Sequence, residues 1–168
     1  MEKSRRRRRR VIHFGLLLLI VALAHHWRTQ SLASGMAPPL MGHLRSGENF
    51  ELALQRGEPV LVHFWATWCP VCRLGERDIE ALAEEHSVVT VAMQSGGARD
   101  IATHMDEEGL NFPVITDRDG ELAARWGVRG VPASFVVDGA GRIRFSTVGY
   151  STPVGLRGRL WLADKLAQ

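Results

Sequence analysis

The chain's only two cysteines stand three residues apart, in Trp68-Cys-Pro-Val-Cys72. Their surroundings constrain the fold more than anything else in the 168 residues. Upstream, Pro59-Val-Leu-Val-His-Phe-Trp-Ala66 is a continuous apolar run of the kind used for a strand covered on both faces. Downstream, residues 70–86 place Val71, Leu74, Ile79, Leu82 and Ala83 close to helical spacing, with charges between them. The pair therefore sits where a buried strand hands over to a helix. A cysteine at a helix start faces unpaired backbone N–H groups and the positive end of the macrodipole. Both stabilise a thiolate, so Cys69 is expected to titrate below the free value of about 8.5. Pro70 suits the first helical turn, where its missing N–H would be unpaired anyway. Cys72, one turn further in, is expected to be the better buried and to resolve the mixed disulfide that Cys69 forms.

Other uses of two cysteines fit less well. A structural staple across so short a loop would constrain the unfolded chain by only about 1.9 kcal/mol, against about 4.7 for a 100-residue loop. A tetrahedral zinc site needs a second pair of ligands. None is present, because no second cysteine pair exists and no two of the seven histidines have zinc-finger spacing. A copper carrier without turnover stays open, since thiolates suit Cu(I), although such a carrier has no need of the strand–helix joint.

The remaining pattern alternates. Ser87-Val-Val-Thr-Val-Ala-Met93 reads as a second buried strand, and residues 97–109 as a helix closed by Gly109. Phe112-Pro-Val-Ile-Thr116 is a short apolar stretch, followed by a short helix over 119–126 that ends at Gly127. Pro132-Ala-Ser-Phe-Val-Val-Asp138 and Arg142-Ile-Arg-Phe-Ser-Thr147 flank Gly139-Ala-Gly141, a hairpin signal. A last helix is expected over 153–167. A strand–helix–strand–helix half followed by a hairpin and a helix implies an α/β fold with a mixed central sheet flanked by helices, over residues 48–168.

The formal charge of +3 is unevenly spread. Residues 1–10 carry Lys3 and Arg5 to Arg10 against Glu2, a net +6, so the rest is mildly acidic and no nucleic-acid surface is indicated. The basic block runs into the apolar stretch Val11 to Ala24, the signal of an export sequence or an anchor with its N-terminus inside. Residues 11–27 are at the short end of the roughly 17–25 that span a bilayer, and Trp27 suits the far interface. Ala22-Leu-Ala24 also fits a small-x-small cleavage site. The expectation is an uncleaved single-pass anchor, with a cleaved signal as the alternative. Residues 28–47, with Ser31, Ser34, Gly35, Pro38, Pro39, Gly42, Ser46 and Gly47, read as a linker.

Phe64-Trp-Ala-Thr-Trp-Cys-Pro-Val-Cys-Arg73 resembles the active-site segment of thioredoxin-like proteins, and in particular the membrane-anchored periplasmic group that includes the cytochrome c maturation thioredoxins. The likeness continues through Phe112-Pro-Val-Ile-Thr-Asp117, Gly127-Val-Arg-Gly-Val-Pro132 and Phe135-Val-Val-Asp138, over roughly residues 50–168. The tail from Gly149-Tyr-Ser-Thr152 through Gly155-Leu-Arg-Gly-Arg-Leu-Trp-Leu-Ala163 is similar to the suppressor of copper sensitivity branch. The resemblance implies a thioredoxin fold, a cis Pro132 across from the sulfurs, and a Val131 backbone that docks a substrate segment. It also implies no cofactor beyond the Cys69–Cys72 disulfide, exported thiol or disulfide proteins as partners, and a membrane thiol-reductant transporter as electron donor. The implied place is the bacterial inner membrane, with the catalytic domain in the periplasm.

Two positions depart from that pattern. Thioredoxins often carry a buried Asp where this chain has His63, and anchored relatives often carry a Glu where it has Gly75. His63 is a candidate proton acceptor for the buried thiol, with a packed core histidine as the plainer alternative; Glu76 is expected to point elsewhere. Trp65 and Trp68 are expected around the site, with Trp68 touching substrate, and Trp126 and Trp161 in the core or between helices. The function expected is reduction of disulfides in exported proteins. A disulfide-forming oxidase and a copper-tolerance protein are the alternatives, while a peroxiredoxin would carry a lone peroxidatic thiol.

Overall fold

In the computed structural model the described residues are 13–16 and 31–167. They fall into two units divided after Ser31, and of the first only the helical stretch 13–16 and Ser31 itself are described. The basic segment 1–10 and most of the anchor expected over 11–27 lie outside the described residues. Among the described residues no helix is long and apolar enough to cross a membrane.

The second unit begins with three short strands, β1 (Gly35–Met36), β2 (Met41–His43) and β3 (Asn49–Glu51), and a 3-10 turn at Leu52–Leu54. The βαβαβ half follows as β4 (Val60–Trp65), α1 (Pro70–Glu85), β5 (Val88–Met93), α2 (Ala98–Glu108) and β6 (Val114–Asp117). After the short α3 (Glu121–Arg125) come the hairpin β7 (Ala133–Val137) and β8 (Arg142–Val148), then α4 (Pro153–Ala167). The six-stranded sheet has the order β1-β8-β7-β4-β5-β6. β5 pairs parallel with β4 and β6, while β7 pairs antiparallel with β4 and β8, so the sheet is mixed as expected.

The apolar run before the cysteines becomes β4 because it can be covered on both faces. Leu61 and Trp65 point into one core, shared with Ile79 and Leu82 of α1, Ile101 and Met105 of α2, and Leu156 and Leu160 of α4. Val62 and Phe64 point into the other, with Ala123 of α3, Trp126 and Phe135. By the period-two alternation of a strand, His63 faces the α1 side. α2 ends where Gly109 takes a left-handed φ of +63°, which a side chain would resist.

The composition of residues 28–47 is misleading. From Leu32 onward this segment is folded onto the domain: Leu32 and Leu40 are buried, β1 pairs with β8, and the Ala33 N–H donates to the Trp126 carbonyl at 2.9 Å. The domain therefore starts at Leu32, not at residue 48. Trp161 is likewise no core residue. The buried face of α4 is Leu156, Leu160 and Ala163, and Trp161 is 63% exposed.

The two large core indoles differ in one respect. Trp65 Nε1–H donates to Thr90 Oγ1 at 3.1 Å, whereas Trp126 Nε1 is buried with no hydrogen-bond partner among the described residues. Trp→Phe at either site removes the same volume. Trp126→Phe should nevertheless cost about 1–2 kcal/mol less than Trp65→Phe, because it removes an unsatisfied donor rather than a bonded one. Urea unfolding of the two variants measures the difference.

Candidate functional site

Cys69 is the N-cap of α1, with an extended backbone (φ −93°, ψ 108°), and Pro70 opens the helix. The Cys72 N–H donates to Cys69 Sγ at 3.2 Å, so the helix N-terminus addresses that sulfur as the sequence implied. The two cysteines form a disulfide with their Cα atoms 5.3 Å apart. The expected contrast in burial is absent: Cys69 is 4% exposed and Cys72 3%. What distinguishes the two sulfurs is their surroundings. Cys69 Sγ lies 3.6 Å from the Val131 carbonyl oxygen, at the loop that leads into β7. Cys72 instead borders a small space behind the disulfide.

The Val131–Pro132 bond is cis. β7 starts directly after it and pairs with β4, which brings the proline to the disulfide although 60 residues separate Cys72 from Pro132. Trp68 is 55% exposed beside the pair, and its Nε1–H donates to the Gln94 carbonyl at 2.9 Å, holding the indole over the end of β5. Pro70 is also exposed. Trp65, in contrast, is buried in the same core as both cysteines.

His63 stands directly opposite Ser134 in the β4–β7 ladder, and its Nδ1 is 2.9 Å from Ser134 Oγ. Burial disfavours the charged ring and lowers the His63 pKa to about 4. The space behind Cys72 measures about 10 Å³, and His63, Gly75, Pro132, Ser134 and Tyr150 share its lining with the cysteine. At Gly75 the ring of Tyr150 lies 3.4 Å from where a Cβ would stand. The Tyr150 hydroxyl donates to Asp78 Oδ2 at 2.8 Å, a bond that raises the pKa of the phenol. Glu76 faces α2, where its carboxylate is 2.9 Å from His104 Nε2, and His104 packs on the Trp65 ring.

Ser134 and Tyr150 were not found from the sequence. Ser134 had a faint signal, as a polar residue inside an otherwise apolar strand; Tyr150 lies in the tail that carries the family resemblance, but its approach to Gly75 depends on how β8 turns into α4. Among the described residues no three His, Cys, Asp or Glu side chains converge as a metal site requires. The arrangement offers a two-electron couple, with one sulfur polarised by a helix terminus and the other beside a small space that His63 also lines.

The family model of the AhpC/TSA family matches residues 34–146, from β1 into β8. The chain belongs to the AhpC/TSA family. Within its thioredoxin-like members it is similar to a thioredoxin-like protein of Haemophilus influenzae, at 34% identity over 120 residues, covering 70% of this chain and 71% of that one. It is also similar to the thiol:disulfide interchange protein DsbE of Vibrio cholerae, at 32% over 105 residues, covering 61% of this chain and 56% of the other. The chain thus spans little more than half the length of that second relative. Among solved structures, a thiol:disulfide interchange protein of the thioredoxin family from Chlorobium tepidum superposes with a TM-score of 0.66 at 26% identity, covering 79% of this chain and 97% of that one. The thioredoxin fold expected from the cysteine motif is the fold observed.

Proposed function

We propose that this protein is a membrane-tethered thiol–disulfide oxidoreductase that reduces disulfides of exported proteins in the periplasm. The observation that carries the reading is the placement of the Cys69–Cys72 disulfide, capped by the α1 N-terminus and facing the Val131–Pro132 loop. The thiol:disulfide interchange relatives and the charged-then-apolar N-terminus support it. In the reduced enzyme Cys69 attacks a substrate disulfide, with the substrate segment laid along Val131 and Pro132 and against Trp68 and Pro70. Cys72 then attacks Cys69 Sγ, closing the internal disulfide and releasing the substrate as a dithiol. Electrons return from another thiol protein, a membrane thiol-reductant transporter, and no further cofactor takes part. The tether of residues 11–27 holds the domain in the inner membrane and raises its effective concentration toward membrane-bound partners.

Redox titration of the full chain in glutathione or dithiothreitol buffers tests the direction of electron flow. The expected result is a two-electron midpoint well below about −200 mV. A midpoint near about −120 mV would make the protein a disulfide-forming oxidant instead. Absence of any reversible couple would remove the exchange reading and bring copper binding forward, which metal stoichiometry of the reduced protein would then decide.

A further inference from the structure

β5 ends at Met93, and Gln94-Ser95-Gly96-Gly97 turns the chain into α2. Gln94 has a φ of +48°, the one positive value at a non-glycine position among the described residues. A side chain of that length takes the left-handed conformation only where its surroundings impose it. Here they do. The Gln94 N–H donates to the Asp117 carbonyl at 2.8 Å, and its amide packs on Gly120, 3.2 Å from where a Cβ would stand. Its carbonyl is then left to accept the Trp68 indole N–H. Ser95, next in the turn, is buried at 5% exposure. Its hydroxyl donates to the Met93 carbonyl at 3.0 Å and accepts from the Thr67 N–H at 3.1 Å.

We propose that Ser95 is a positioning residue for substrate recognition, which fixes the Thr67 peptide and so holds the Trp68 indole on the Gln94 carbonyl, presented to the partner chain. The inference rests on the reading that this protein exchanges disulfides with polypeptide substrates. Thr67 is tied on both sides: Ser95 takes its N–H, and Arg73 Nη2 reaches its carbonyl at 3.2 Å. The two planar peptides ahead of Trp68 are therefore both fixed. The indole is held a third time at its outer end, by the Gln94 carbonyl at 2.9 Å. An aromatic side chain that is 55% exposed yet already ordered offers contact area without losing rotamer freedom when a partner binds.

The anchor itself is rigid. Behind Ser95 the chain bends at Gly96, with a φ of +81°, and the Gly97 N–H donates to Asp100 Oδ2 at 2.8 Å in the first turn of α2. Ahead of it, the Gln94 N–H ties the turn to the end of β6. The sulfur chemistry is held by other groups. Cys69 Sγ receives the Cys72 N–H and lies against the Val131 carbonyl, and neither contact involves Ser95. The hydroxyl of Ser95 thus acts on the recognition side of the site and not on the disulfide.

The test compares two substrates of the reduced full chain. One is a disulfide-bonded peptide long enough to run past Trp68; the other is hydroxyethyl disulfide, which offers little beyond the sulfurs. Ser95→Ala should slow reaction with the peptide about 10-fold, the factor expected for ordering one large side chain, and reaction with hydroxyethyl disulfide by no more than about 2-fold. The redox midpoint should not move. Trp68→Ala should show the same selective loss, and adding Ser95→Ala to it should cost no more than about 2-fold further, because no indole is left to position. Trp68→Phe keeps a ring and loses only the bond to the Gln94 carbonyl. It should also slow the peptide selectively, and it carries the test should the Ser95 variant not fold. Equal slowing toward both disulfides, full additivity with Trp68→Ala, or a native peptide rate in the folded Ser95→Ala or Trp68→Phe variant overturns the assignment. A native protein that reacted with neither disulfide would overturn the exchange reading itself.

Discussion

Cys72→Ser should trap a covalent adduct with a disulfide-bonded peptide, and Cys69→Ser should form none. The two sulfurs are almost equally buried, so the asymmetry comes from their chemical surroundings. Cys69 Sγ receives the Cys72 N–H at the start of α1 and lies against the Val131 carbonyl, where a substrate segment would run. Cys72 lines the small space that His63 also lines. A serine at position 69 leaves the remaining thiol facing inward, so turnover should fall by at least about 10³-fold, since the covalent path itself is lost. A serine at position 72 leaves the first step intact and removes the resolving thiol. Intact mass spectrometry after mixing each variant with the peptide disulfide separates the cases. An adduct on the Cys69→Ser variant alone would reverse the order of attack assigned to the pair.

The parts of this fold that were legible in the sequence are those whose local chemistry and packing agree. β4 is a six-residue apolar strand, α1 begins at a cysteine cap with proline in its first turn, and the β7–β8 hairpin is marked by Gly139-Ala-Gly141. Residues 32–54 were illegible for a physical reason. Strands of two and three residues are too short to show a period, and their anchors Leu32, Leu40 and Leu52 are isolated apolar residues among Pro, Gly and Ser. Trp161 misled in the opposite direction, because α4 carries apolar residues on its outward face as well as its inward one. At the site, His63 was visible as the one polar break in an apolar strand. Its partner Ser134 is 71 residues away, and only the strand register makes them neighbours.

Asp138→Ala should cost the folded state about 3–5 kcal/mol, a large share of the 5–15 kcal/mol typical of a whole domain. Asp138 ends β7 with its side chain fully buried, and its carboxylate accepts from three donors. The backbone N–H groups of Ala140 and Arg142 reach Oδ1 at 3.0 and 2.8 Å, and Arg144 Nε reaches Oδ2 at 2.6 Å. Arg144 in turn donates to the Leu166 carbonyl, so the carboxylate ties the hairpin to the end of α4. Burial alone would raise the pKa of Asp138, but the bonds from Arg142, Arg144 and Ala140 outweigh it and hold it below its ordinary value of 3.8. A carboxylate depressed in the folded state binds protons more readily when unfolded. Its stabilisation is therefore complete above about pH 3.8 and is lost as pH falls through the folded pKa. Asp138→Asn keeps the shape but not the charge, so its penalty measured by urea unfolding should be large at pH 7 and shrink toward pH 3. Asp138 and Pro132 lie at opposite ends of β7, so the disulfide-exchange rate of the folded Asn variant should match that of the native protein. A penalty that stays constant from pH 7 to pH 3 would mean that the carboxylate acts through its shape rather than its charge.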